Sequence, residues 1–194
     1  MTNDRIVSAR LVLGGHNFSQ DSLPESIADG TRVVIDTPHA MLLPESVLRD
    51  DEFVPECWMR RSGFDIPDGC CVSVCSPLNG TVALVLLPDG MKEALHRRAD
   101  GKWSMVSPLQ EIVCTRRGIN LLLEEHAAYV TVCDSDGLRF ADSLPDKSAD
   151  TLIYAIHCIG ETLPDCGPVR VLGHGADGVT AALKPYFKLV VQCE

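Results

Sequence analysis

Basic residues are scarce in this sequence: 17 Lys and Arg stand against 27 Asp and Glu in 194 residues, a formal net charge of −10. Neutralising nucleic-acid phosphates needs a concentrated basic face, so the charge balance counts against a nucleic-acid partner. The deficit is shared along the chain, with 12 basic against 16 acidic residues before position 118 and 5 against 11 after it. Long apolar runs are missing too. The longest, Val82–Leu87, is far below the ~20 residues that cross a bilayer, so no membrane span is expected. Residues 1–30 hold no basic segment leading into an apolar core, because Arg10, Gly14, Gly15 and His16 break the early hydrophobic stretch. A secretory signal is not expected, and the expected compartment is the cytoplasm.

Metal-ligand spacings are equally absent. Nine cysteines are present, an odd number in a chain too long to need stapling, and no export signal accompanies them. The densest group, Cys57, Cys70, Cys71 and Cys75, lacks the paired CxxC or CxxH spacing of zinc sites. These thiols are expected to be reduced, mostly buried and structural. His16, His39, His96, His126, His157 and His174 are scattered, with no i,i+4 pairing to another His or a Cys, so no metal site is expected.

What is present is an apolar content of 45% with 23% charged residues, the composition of a folding globular chain. A chain of this length buries roughly 70% of the surface its unfolded form exposes, enough for one core or two small apposed lobes. Residues 119–192 are the most readable. Ile119, Leu121 and Leu123 alternate with Asn120, Leu122 and Glu124, a turn follows at Glu125-His126-Ala127, and alternating runs Tyr129–Asp134 and Leu138–Asp142 flank Ser135-Asp136-Gly137. Three antiparallel strands are predicted.

After Ser143-Leu144-Pro145-Asp146, apolar residues at Ala149, Leu152, Ile153, Ile156, Ile159 and Leu163 predict a helix of about four turns. A strand Val169–Leu172 then runs into Gly173-His174-Gly175, a helix covers Ala176–Lys184, and Lys188–Gln192 is a last strand. The predicted order β-β-β-α-β-α-β is that of the ribonuclease-H-like fold.

The first 117 residues are less regular. Arg5–Leu13 and Thr31–Asp36 read as strands, Phe18–Leu23 as a strand between them, and Pro44–Leu48 as the start of a helical segment. Residues 50–68 are expected to hold a helix and a long loop. Asn79-Gly80 between Cys70–Ser76 and Thr81–Leu87 is the dipeptide of hairpin turns that match strand twist. Helices are expected over Met91–Arg98 and Pro108–Thr115, with a strand Trp103–Val106 between them.

The motifs Arg32–Asp36, Leu42–Leu48, Val82–Leu87 with the Met91–Arg98 helix, Ser104–Val113 and Leu121–Phe187 together resemble an uncharacterised Bacteroidetes family, domain of unknown function 3822. The resemblance covers nearly the whole chain and rests on the order of elements. It implies the actin-like ATPase fold of actin, Hsp70 and the sugar kinases: two ribonuclease-H-like lobes, an α+β chain with α/β-type lobes, mixed sheets and crossover helices. The lobes would be 1–117, a divergent one, and 118–194, facing each other across a nucleotide cleft.

In that superfamily each lobe wraps a phosphate with the turn between its first two strands, where Asp and Gly let backbone N–H groups reach the anion and organise metal and water. Here the first turn, Gly14-Gly15-His16-Asn17, has the glycines and no aspartate. The second, Glu125-His126-Ala127-Ala128, has no glycine and lies beside Glu124 and Glu125, which repel phosphate. The loop Gly173-His174-Gly175-Ala176-Asp177-Gly178 fits an adenosine-side contact better, and equally fits a tight strand-to-helix turn capped by Asp177. Gly14, Gly15, Gly173, His174, Gly175 and Gly178 are therefore the candidate nucleotide loops, while ATP with Mg²⁺ is not favoured and the cofactor stays open.

No catalytic residue is assigned. The acids a nuclease on this fold would need, Glu124, Asp150 and Asp177, are each explained by helix capping or solvation. The arginine pairs Arg60-Arg61, Arg97-Arg98 and Arg116-Arg117 fit helix ends, where the dipole favours cations. The expectation is a non-catalytic binding or assembly module for a protein partner or small ligand. A divergent nucleotide-binding ATPase or phosphotransferase using the interlobe cleft is the alternative, and a homodimeric scaffold a third reading.

Overall fold

The structure, a computed structural model, describes residues 23–113, 117–163 and 166–192. It is a mixed α+β chain with mixed sheets. In chain order the elements are β1 (Arg32–Val34), β2 (Ala40–Pro44), a 3-10 turn (Glu45–Arg49), α1 (Pro55–Arg61), β3 (Cys70–Val74), β4 (Thr81–Pro88), α2 (Met91–Arg97), β5 (Ser104–Val106) and α3 (Pro108–Glu111). The second part has β6 (Gly118–Leu123), β7 (Ala128–Asp134), β8 (Gly137–Leu144), α4 (Ala149–Thr162), β9 (Val169–Gly173), α5 (Ala176–Leu183) and β10 (Val190–Gln192). The expected strand Arg5–Leu13, and all but the end of Phe18–Leu23, lie outside the described residues.

From residue 118 onward the order is the predicted one. The five strands form one sheet, β10-β9-β6-β7-β8, with the meander β6-β7-β8 antiparallel and β9 and β10 added in parallel. Helix α4 buries Leu152, Ile156 and Ile159, spaced i, i+4, i+7 so that they share one face. Its N-cap is Ser148, whose hydroxyl accepts the Thr151 N–H, two residues later than the Pro145-Asp146 start the sequence suggested. Asp146 instead accepts the N–H and O–H of Ser148 and the hydroxyl of Thr151. These bonds hold its carboxyl below the usual value.

The earlier residues form a three-stranded antiparallel sheet, β2-β4-β3, and a parallel pair, β1 with β5. Asn79 and Gly80 both take positive φ, +52° and +72°, between Leu78 and Thr81, which exchange N–H···O bonds of 2.9 and 3.0 Å. That is the two-residue turn expected from the dipeptide. Gln110, fully buried, ties it to α3 by donating to the carbonyls of Ser76 and Thr81 and accepting the Ser107 N–H. Arg60 and Arg61 lie in the last turn of α1 and Arg97 in that of α2, as the dipole argument expected.

All six residues of β6 are buried. Ile119, Leu121 and Leu123 face α4 and α5, whereas Leu122 joins Ala127 and Tyr129 in a second cluster with Val33, Ile35, Val85, Leu95 and Leu109. Residues from both sides of position 117 thus share one core. The cysteines are less buried than expected: of the seven described, Cys75 and Cys133 are buried, and Cys57 and Cys158 are exposed. Among the described residues no helix is long and apolar enough to cross a membrane.

Candidate functional site at the ends of the parallel strands

Strands β6 and β9 run in parallel and end side by side, Leu123 opposite Gly173. In open sheets of this kind, loops beyond the carboxyl ends of parallel strands are where ligands gather. Two turns meet at this edge, one from β6 to β7 and one from β9 to α5.

The β9–α5 turn and the first turn of α5 contain four of the predicted site residues. Gly173 has φ +88°, and a Cβ there would sit 2.2 Å from the Leu123 carbonyl oxygen and 3.1 Å from its carbon. The next N–H, that of His174, donates to the same oxygen at 2.8 Å. Gly173 is therefore fixed by the approach of two backbones. Gly175 is the N-cap of α5 at φ +75°, its missing Cβ would meet nothing within 4 Å, and no side chain caps the helix. Gly178, inside α5, also faces open space, and His174 is exposed. Gly14 and Gly15 lie outside the described residues.

The β6–β7 turn is closed by the Glu124 N–H donating to Ala127 at 3.0 Å. Its His126 N–H points at a carboxylate of the chain itself, Asp36 Oδ2, at 2.9 Å. Asp36 follows β1 and is 1% exposed. Its other oxygen accepts the Tyr129 hydroxyl at 2.8 Å, which also lies 3.0 Å from the Thr37 carbonyl. Tyr129 is fully buried, and its pKa is driven far above the ordinary tyrosine value, first by desolvation and then by the Asp36 charge, so the phenol stays a donor. From the other side Lys147 Nζ donates to the carbonyls of Glu124 and Glu125 at 2.6 and 2.7 Å. The Ser143 hydroxyl pins the neighbouring segment through the Pro38 carbonyl at 2.7 Å.

Asp36, Tyr129 and Lys147 are the residues that sequence reasoning missed. Asp36 carried a signal, since it ends the apolar run Val33-Val34-Ile35 and so sits at the mouth of a buried strand. Its partners are 90 and 93 positions away, which no local pattern reveals. Glu124, expected to be solvated, is 7% exposed and engaged; Asp150 and Asp177 are exposed in the first turns of α4 and α5. Among the described residues no three His, Cys, Asp or Glu side chains gather as a metal site would require.

The arrangement of sheets and crossover helices has solved counterparts. A crystal structure from Bacteroides thetaiotaomicron, of a protein with actin-like ATPase fold and unknown function, is similar with a TM-score of 0.64 over 84% of this chain and 68% of that one, at 11% identity. The fold here is that of the actin-like ATPases. The PilM-PilN type IV pilus biogenesis complex is similar with a TM-score of 0.52 at 12% identity, over 84% of this chain and 69% of that one. The cytoplasmic domain of EpsL, an inner membrane component of the type II secretion system of Vibrio cholerae, matches with a TM-score of 0.43 at 15% identity, over 75% and 63%. No protein-family model and no curated protein matches the chain.

Proposed function

We propose that this protein is a non-catalytic binding or assembly module on the actin-like ATPase fold, with a protein or small ligand as its partner. The observation that carries the reading is the Asp36 carboxylate on the His126 N–H. On this fold the β6–β7 turn is where a phosphate would be wrapped by backbone N–H groups, and here that donor is already engaged by a buried anion. Two unit charges about 5 Å apart at an effective dielectric constant of about 20 repel by about 3 kcal/mol. The attraction of a helix N-terminus such as that of α5 for an anion is only about 0.3–1 kcal/mol. Repulsion wins, and the turn disfavours nucleotide phosphates.

The same proposal includes the division into lobes 1–117 and 118–194, a cytoplasmic location, and membership of domain of unknown function 3822. The ordered motifs support that membership. The pilus biogenesis complex is by name an assembly of proteins, which is in keeping with a binding role.

Thermal denaturation with millimolar ATP, ADP and Mg²⁺ tests the reading, since a ligand selective for the native state must stabilise it. No shift, or a shift without phosphate release, is expected. Magnesium-dependent phosphate release that Gly175→Arg abolishes would overturn it in favour of the divergent ATPase or phosphotransferase. That enzyme would use Gly14, Gly15, Gly173, His174, Gly175 and Gly178 in the interlobe cleft.

A further inference from the structure

On the far side of the same sheet, β8 and α4 enclose a groove of about 330 Å³, within the size range of small-molecule sites. Strand alternation places Phe140, Asp142 and Leu144 on one face of β8, and Phe140 and Leu144 pack into the cluster beneath α4. Asp142 therefore occupies a position that the pattern reserves for an apolar side chain. Its cross-strand partner is Val130, another lining residue, and across the groove stand Ala155 and Ile159 of α4. Asp142 is the one charged group among the eleven residues lining the groove.

A half-buried carboxylate facing apolar carbon is unfavourable unless its charge is met. Asp142 Oδ1 accepts one hydrogen bond, from the Ser143 N–H at 2.8 Å. Oδ2 has no hydrogen bond and no ion pair among the described residues. Burial pushes this carboxyl above its usual value, with the Ser143 bond opposing only in part. Tyr154, 73% exposed, also lines the groove and brings an aromatic ring to it. An ammonium group complements both features, as an ion partner for Oδ2 and a cation for the ring.

We propose that the groove between β8 and α4 binds a small organic ammonium ion with an apolar body, its charge held by Asp142 and its body by Phe140, Leu144 and Ile159. The groove is lined by neither Asp36 nor the loop from Gly173 to Gly178, so it stands or falls independently of the function proposed above. The volume admits a phenylalkylamine. A neutral molecule of the same shape would gain the apolar contact alone.

The test is an NMR titration of the full chain with 2-phenylethylamine and, separately, 2-phenylethanol at neutral pH. The amine is expected to move the methyl resonances of Leu144, Ala155 and Ile159 and to bind about tenfold more tightly than the alcohol, the ratio of about 1.4 kcal/mol. Asp142→Asn should reduce the amine to the level of the alcohol while alcohol binding persists, which also reports that the groove is intact. Ala155→Leu should abolish binding of both while the far-ultraviolet circular dichroism stays unchanged. Absence of shifts at millimolar amine, or equal amine binding by wild type and Asp142→Asn, would overturn the proposal. So would a concentration-dependent dimer dissolved by Ala155→Glu, since a second copy would then fill the groove.

Discussion

The two turns at the ends of β6 and β9 sit side by side and have opposite characters. The β6–β7 turn contains no glycine, yet it is held on both sides, by Asp36 from β1 and by Lys147 from the approach to α4. The β9–α5 turn has glycine at three of its six positions and no side-chain cap. Composition alone would have picked the second as the ligand site and dismissed the first. Geometry divides them differently: the first has its His126 N–H taken by the Asp36 carboxylate, and the second is fixed at Gly173 and open only at Gly175 and Gly178. A glycine-rich loop is thus three separate demands on the backbone, only some of which concern a ligand.

Stability measurements by urea denaturation can break or sharpen this contrast. Gly173→Ala should have the largest effect, about 3–5 kcal/mol of destabilisation, because left-handed strain adds to a clash with a backbone atom that cannot swing away. A cost below about 1 kcal/mol would remove the packing explanation for this glycine. Tyr129→Phe should cost about 2 kcal/mol, since it takes a hydroxyl from a buried carboxylate. In an Asp36→Asn background the loss should shrink, and equal losses in both backgrounds would show that the pair is not coupled.

Gly175→Ala meets strain without a clash, so about 1 kcal/mol is expected. Gly178→Ala should reverse the sign. That residue has ordinary helical φ with open space beside it, and replacing glycine there should stabilise by about 0.5 kcal/mol, seen as a higher urea midpoint at unchanged slope. Destabilisation would mean that α5 frays at its start and gains nothing from a better helix former.

Much of the architecture was legible because it is written in local periodicity. The meander, the i, i+4, i+7 face of α4 and the Asn79-Gly80 turn each depend on neighbours within a few positions. Long-range pairings left no such trace. The alternation along β6 does not say what covers Leu122, and only the packing of residues from Leu23 to Ile112 makes that face interior. The candidate site was half legible for the same reason. Gly173, His174 and Gly175 announce a strand-to-helix turn, whereas Asp36 becomes a site residue only when β1 is laid beside the end of β6. The cysteines misled because small apolar side chains are equally at home on exposed helix faces, as Cys57 and Cys158 are.

The shared core also bears on how the chain can be divided. The proposed boundary at 117 cuts through packing, because Leu122, Ala127 and Tyr129 beyond it are covered by residues that precede it. Cutting there would strip the lid from one face of the five-stranded sheet and strand the Tyr129 hydroxyl without its carboxylate. The C-terminal piece would then present a fresh oily plane to solvent, so its solubility in isolation would report how much the first part acts as a built-in chaperone for the second.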